Sequence, residues 1–234
     1  MSFASVGKKW FEMKFLFRVL FCLIFIFMLI IVTGCSPGSK STDKSEEIGE
    51  MKTEDRFPEN PNEGVDYSGR ELKSIWLAGG CFWGVEAYME RVYGVADVTV
   101  GYANGNTENP SYEEVNHKNT GHAETVQVSY DPEKVKLETL LEYYFNTMDP
   151  TSLNRQGNDV GTQYRTGIYY KDEADLEIIK NVIAAQQKKY KEPIVTEVTP
   201  LAGYYLAEEY HQDYLDKNPG GYCHVDFSTL KGKG

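Results

Sequence analysis

The fold class this sequence predicts is an α+β sandwich, in which helices pack against one face of a mixed or antiparallel sheet. Three observations predict it. Residues 97–102 and 122–131 alternate apolar and polar side chains at the strand period. Residues 137–145 and 172–191 repeat apolar side chains at helical spacing. Glycine-, asparagine- and proline-bearing loops separate the two kinds of segment, so strands and helices are interleaved within one core.

The chain has 234 residues, enough for one catalytic domain with appended segments. The first of these is 1–34. Lys8, Lys9, Lys14 and Arg18 oppose Glu12 there, a balance of +3. The apolar run 15–32, interrupted only by Arg18, follows the first three lysines. A basic segment followed by an apolar one reads as an export signal. The run is also long enough for a retained membrane anchor. Val32-Thr33-Gly34-Cys35 resembles a bacterial lipobox. That resemblance implies cleavage after Gly34, a lipid-modified Cys35, and a body held on the outer face of a membrane in the cell envelope.

Residues 35–70 form the second segment, rich in Ser, Gly, Pro, Glu and Asp. Such a composition buries too little surface to offset its ordering entropy, so it reads as a flexible tether. As a coil of ~35 residues it spans roughly 30–35 Å. The catalytic domain is then 71–234. With a total charge of −11, all of the chain beyond residue 34 carries −14. That acidity argues against nucleic acid, which needs a basic face.

Within the domain, Ser74 to Ala78 is a short apolar run, and Gly79-Gly80-Cys81-Phe82-Trp83-Gly84 follows it. A segment from Val85 to Val92 reads as helix, so Cys81 falls at a strand-to-helix turn. Free N–H groups and the helix dipole there favour a thiolate. Ser111 caps a short helix at 112–115. In the strand 122–131, Glu124 shares a face with Val126, Val128 and Tyr130. A carboxyl on an apolar face loses solvation and holds its proton towards neutral pH. The alternative is a strand-end glutamate that bends out to water.

The helix at 137–145 stops before Asp149-Pro150, and 151–162 is a polar loop. Residues 164–170 read as a strand. In the helix 172–191, Leu176, Ile179, Ile183, Gln186 and Tyr190 form the inward stripe, with Val182 beside it. A strand at 194–198 and a short helix at 207–215 follow. Cys223 lies in a glycine-preceded terminal segment expected to be mobile. Once a signal containing Cys22 is removed and Cys35 is lipidated, Cys81 and Cys223 remain as the candidate pair. They suit either a structural disulfide or redox chemistry.

Gly80-Cys81-Phe82-Trp83-Gly84, Gly121-His122-Ala123-Glu124, Gly157-Asn158-Asp159, Gly161-Thr162-Gln163-Tyr164-Arg165 and Gly220-Gly221-Tyr222-Cys223-His224 together resemble the peptide methionine sulfoxide reductase A family. The resemblance covers about 73–228. It implies a ferredoxin-like core and reduction of the S epimer of methionine sulfoxide, free or in peptides, as protein repair after oxidative damage. It assigns attack on sulfur to Cys81 and protonation of the sulfoxide oxygen to Glu124. Tyr112 and Tyr164 become hydroxyl donors to that oxygen, and Asp159 positions a water or polar group. Phe82 and Trp83 become walls of a methyl pocket. Cys223 becomes the resolving cysteine. The disulfide would pass to thioredoxin or, for an exported form, an extracytoplasmic thioredoxin-like protein. No metal or organic cofactor is implied, and a monomer is expected.

Three rival readings use the same residues. A thiol peroxidase also pairs two cysteines, but the aromatic pair after Cys81 favours a methyl-bearing substrate. His122-Ala123-Glu124 matches half of a zinc deaminase signature whose Pro-Cys-x-x-Cys half is missing. A peptide-binding lipoprotein would keep Cys81 and Cys223 as a permanent staple.

Overall fold

The computed structural model describes residues 57–230. The lipobox with Cys35, and the tether up to residue 56, lie outside the described residues. Strand β1 (Lys73–Gly79) leads into helix α1 (Phe82–Glu90). Then come β2 (Val95–Ala103), α2 (Tyr112–His117), β3 (Ala123–Tyr130) and α3 (Leu137–Tyr144). A small hairpin, β4 (Arg155–Gln156) and β5 (Asp159–Val160), precedes β6 (Thr166–Tyr170). The chain continues through α4 (Asp175–Gln187), β7 (Glu197–Pro200), β8 (Tyr204–Leu206) and α5 (Tyr214–Lys217).

Six strands form one sheet in the order β7-β6-β1-β3-β2-β8. Only the β6–β7 pair is parallel. The sheet is therefore mixed, and the molecule is α+β as its pattern predicts. Side-chain parity explains the layers. Ile75, Leu77, Val98, Val100, Tyr102, Val126, Val128 and Ile168 join Phe82, Val85 and Tyr88 of α1 and Leu140 and Leu141 of α3 in the main core. The opposite parity, with Trp76, Ala78, Ala103, Ala123 and Tyr169, makes a smaller cluster on the other face. Glu124 has the parity of the main core and is 2% exposed, so it turns in towards α1 rather than out to water.

Several elements differ from their expected bounds. The strand expected at 164–170 begins at Thr166, because 162–164 form a 3₁₀ turn. The strand expected at 194–198 is β7, starting at Glu197. The helix expected at 207–215 is broken into a 3₁₀ turn at 209–211 and α5. Gln212 interrupts it by bonding the N–H and C=O of Val100 at 2.9 and 3.0 Å, and Asp213 takes φ 50°.

Residues 57–70, counted from composition in the tether, lie on the domain. Asn62 donates to the carbonyls of Glu90 and Val92 at 2.8 and 2.9 Å and accepts from the N–H of Gly94. The Phe57 ring meets Phe227 at 4.7 Å, and the Arg91 guanidinium sits 5.3 Å from it. One amide satisfying three backbone groups explains why a polar stretch holds its place. Among the described residues no helix is long and apolar enough to cross a membrane.

Candidate active site

The site is built where β1 ends. Gly80 turns the chain with φ +84°, a conformation that disfavours other residues. It also lets Gln156 and His224 approach: a Cβ at Gly80 would lie 2.6 Å from Gln156 Cβ and 3.1 Å from His224 Cε1. Gln156 is held by paired hydrogen bonds with Asp149, and His224 Nε2 lies 3.1 Å from the Gly79 carbonyl. The hairpin loop and the terminal segment therefore both converge on the turn that presents Cys81.

Cys81 is the N-cap of α1 and is 7% exposed. The N–H of Phe82 donates to Glu124 Oε2 at 3.1 Å, while the N–H of Trp83 faces the sulfur. The thiol is not held as a thiolate, contrary to expectation. Burial pushes its pKa well up, the neighbouring Glu124 charge pushes further, and the Trp83 N–H opposes both without prevailing. The expectation counted the helix end and not the loss of water around the sulfur. Burial likewise lifts Glu124 from 4.5 to about 8, against the Phe82 hydrogen bond and with the Asp159 charge. The acid thus carries its proton at neutral pH, as its strand parity predicts.

Tyr112 and Tyr164 sit beside this pair. Burial first, then the Glu124 charge, raises Tyr112 to about 12 and pushes Tyr164 up too. Both phenols remain hydrogen-bond donors across the physiological range. Tyr112 starts α2 through a capping box, in which Ser111 and Glu114 satisfy each other's backbone N–H at 3.1 and 3.4 Å. Asp159, on β5, is half-buried, and among the described residues its Oδ2 has no hydrogen-bond partner. Its charge acts on Cys81, Glu124, Tyr164 and His224.

The two aromatics after Cys81 are not equivalent. Phe82 is 1% exposed and lies 6.0 Å from Tyr102. Trp83 is half-buried, stacks on Tyr214 at 3.7 Å, and donates from Nε1 to His211 Nδ1 at 3.2 Å. Accepting at Nδ1 requires neutral His211, and burial indeed lowers its pKa. Cys223 is half-buried, and no disulfide joins it to Cys81. It packs over Gly84, where an added Cβ would lie 2.9 Å from its Sγ and 2.8 Å from Val225 Cγ2. The motif's last glycine thus makes room for the segment that carries the second thiol.

The structure brings Cys81, Phe82, Trp83, Tyr112, Glu124, Asp159, Tyr164 and Cys223 into one region; Cys35 lies outside the described residues. Tyr102, Asn116, Gln156, His211 and His224 complete the region, and the sequence assigns none of them a role. Tyr102 is the cross-strand partner of Glu124, a pairing that requires the strand order. His224 ends the Gly220–His224 motif beside Cys223, and that motif is the signal for it. A separate cluster brings carboxylate oxygens of Glu86, Glu90 and Asp213 within 4.8 Å of one another. Burial raises Glu86 to about 9 and Glu90 to about 8, so protons relieve most of this charge. Arg91 and Lys217 lie 3.8 and 3.4 Å from Glu90 and Asp213.

Residues 73–233 match the family model described as peptide methionine sulfoxide reductase. The chain belongs to this family. It is similar to a peptide methionine sulfoxide reductase MsrA of Lachnoclostridium phytofermentans, 60% identical over 153 residues, 65% of this chain and 92% of that protein. It is similar to another from Clostridium acetobutylicum, 57% identical over 160 residues, 68% of this chain and 99% of the relative. Among solved structures, Mxr1 from Saccharomyces cerevisiae in reduced form is 44% identical with a TM-score of 0.62, covering 65% of this chain and 89% of that one. Methionine sulfoxide reductase A of Corynebacterium diphtheriae is 39% identical with a TM-score of 0.60, covering 66% and 79%. This peptide methionine sulfoxide reductase therefore carries the family's domain from residue 73 onward, and the residues packed on it from Phe57 to Leu72 precede the match.

Proposed function

We propose that this reductase acts on the S epimer of methionine sulfoxide through Cys81, Glu124 and Cys223. One observation carries the reading. The buried carboxyl of Glu124 is tied through the Phe82 N–H to the turn bearing Cys81, and two protonated phenols flank them. At rest the site holds a neutral thiol and a neutral acid. A sulfoxide oxygen entering between Glu124, Tyr112 and Tyr164 takes the Glu124 proton, which makes sulfur electrophilic. The Glu124 carboxylate so formed accepts the Cys81 proton as Cys81 Sγ bonds to sulfur. The S–O bond then breaks, oxygen passes to Cys81 as a sulfenic acid, and methionine leaves.

Cys223 next attacks the sulfenic acid, a Cys81–Cys223 disulfide forms, and water departs. A dithiol of the thioredoxin class reduces this bond by exchange. Phe82, Trp83 and the buried surroundings suit the substrate's S-methyl group, with Asp159 orienting water or a polar group beside it. The aromatic pair Phe82 and Trp83 beside Cys81 disfavours the thiol peroxidase alternative, which wants a small polar pocket for peroxide. In the cell the enzyme would repair oxidised proteins at the envelope as a monomer anchored through Cys35, using an extracytoplasmic thioredoxin-like donor. The test supplies separated S and R epimers and follows methionine release. Release from S alone supports the reading, and equal release from both overturns its stereochemistry.

A further inference from the structure

We propose that Asn116 is a positioning residue that holds the two phenols in register to receive a sulfoxide oxygen; this rests on the sulfoxide reading above. Asn116 lies in α2, one turn beyond Tyr112, so its side chain falls on the same helix face. Its Nδ2 donates to the Tyr112 carbonyl at 3.1 Å, which fixes the sense of the amide. Its Oδ1 then faces the other way and accepts twice, from Gln163 Nε2 at 3.1 Å and from the Tyr164 hydroxyl at 3.3 Å. Tyr164 belongs to a 3₁₀ turn 48 residues further along. A single amide thus joins the two elements that supply the hydroxyl donors.

The geometry suits release on demand. An O–H to O contact of 3.3 Å is longer than the usual 2.5–3.0 Å range, so it is weak. A sulfoxide oxygen is a stronger acceptor than an amide and draws the Tyr164 proton by rotation of the hydroxyl, with no movement of the ring. The Gln163 amide keeps Oδ1 satisfied after that rotation, so no acceptor is left orphaned. The phenol is held in place while its proton stays available. Tyr164 already lies within electrostatic reach of Glu124, Tyr112, Asp159 and Cys81. Asn116 itself is half-buried at the surface of α2, so its replacement leaves the core intact.

The test is a double-mutant cycle on the full chain. Single-turnover release of methionine from the S-sulfoxide is measured for the native enzyme, Asn116→Ala, Tyr164→Phe and the double variant. Alkylation of Cys81 by iodoacetamide, which involves no sulfoxide oxygen, is measured alongside in the Cys223→Ser background. Asn116→Ala should lower release about tenfold in the native background and less than about twofold in the Tyr164→Phe background. Alkylation should stay within about twofold of the parent rate in both. Equal losses in the two backgrounds, no loss in either, or a parallel fall in alkylation would each overturn the positioning role. Absence of methionine release from the native enzyme would instead reject the sulfoxide reading on which the role rests.

Discussion

Phe82 and Glu124 are joined by a single hydrogen bond, from the Phe82 backbone N–H to Oε2 at 3.1 Å. A helix begins with four N–H groups that lack intrahelical partners. The first of them here goes to the acid, and the next, on Trp83, faces the Cys81 sulfur. The helix start is therefore shared between the Cys81 thiol and the Glu124 carboxyl. This sharing keeps the two groups adjacent while burial keeps both of them protonated.

The acid role proposed for Glu124 sets a pH dependence. Glu124 is ordinary at 4.5 and raised to about 8 here, so its proton is present below that value and lost above it. Single-turnover reduction should be level up to about pH 7 and fall as pH rises through about 8. Glu124→Gln should slow that step about 10²- to 10³-fold and remove the fall. Stopped-flow release of methionine across pH 6–10 checks both. A rate that climbs through pH 8 would mean that a thiolate, not the acid, limits the step.

Gly84 carries a prediction about the second thiol. Its Cα lies under Cys223 and Val225, with no room for a Cβ. Gly84→Ala should leave the first methionine release within about threefold of native and slow disulfide formation about tenfold or more. Quenching with a thiol-specific alkylating agent and weighing the protein at successive times separates the two steps. Disulfide formation at the native rate would show that Cys223 does not act from its place over Gly84.

Buried carboxyls away from the chemistry affect stability. Glu86 at about 9 and Glu90 at about 8 bind protons in the fold at pH values where the unfolded chain has lost them. For a raised pKa, the stabilising contribution is complete below about 4.5 and declines until the folded value is passed. Unfolding free energy should therefore fall between pH 5 and 8, by about 1.4 kcal/mol per unit for each such group. Glu86→Gln should make that slope shallower by about one group's worth. Urea titrations at several pH values measure it, and an unchanged slope would remove Glu86 from the account.

Local rules carry far in this chain. The glycine-bearing turn at Cys81, the parity that buries Glu124 and the Ser111 cap are all written in neighbouring residues. What neighbours could not supply is contact across the sheet. Strand β8 is three residues long and exists because Tyr204–Leu206 pair with the β2 edge at Gly101–Ala103. The order of 57–70 depends on Asn62 meeting backbone groups about 30 residues away. The helix-end argument for a Cys81 thiolate failed for the same reason: burial outweighs it, and charges on Glu124, Asp159 and Cys223, all distant in sequence, push the same way. Asn116 carries no motif, and its importance rests on Tyr164, 48 residues away.

The most direct test of the central claim is the mass of the enzyme after one equivalent of methionine S-sulfoxide without reductant. Cys81 attack followed by Cys223 resolution predicts one methionine released, two hydrogens lost from the protein, and a single cross-linked peptide joining Cys81 to Cys223. Cys223→Ser should release the same methionine and stop with one added oxygen on Cys81. Methionine released by Cys81→Ser, or a native product lacking the Cys81–Cys223 bond, would contradict the account.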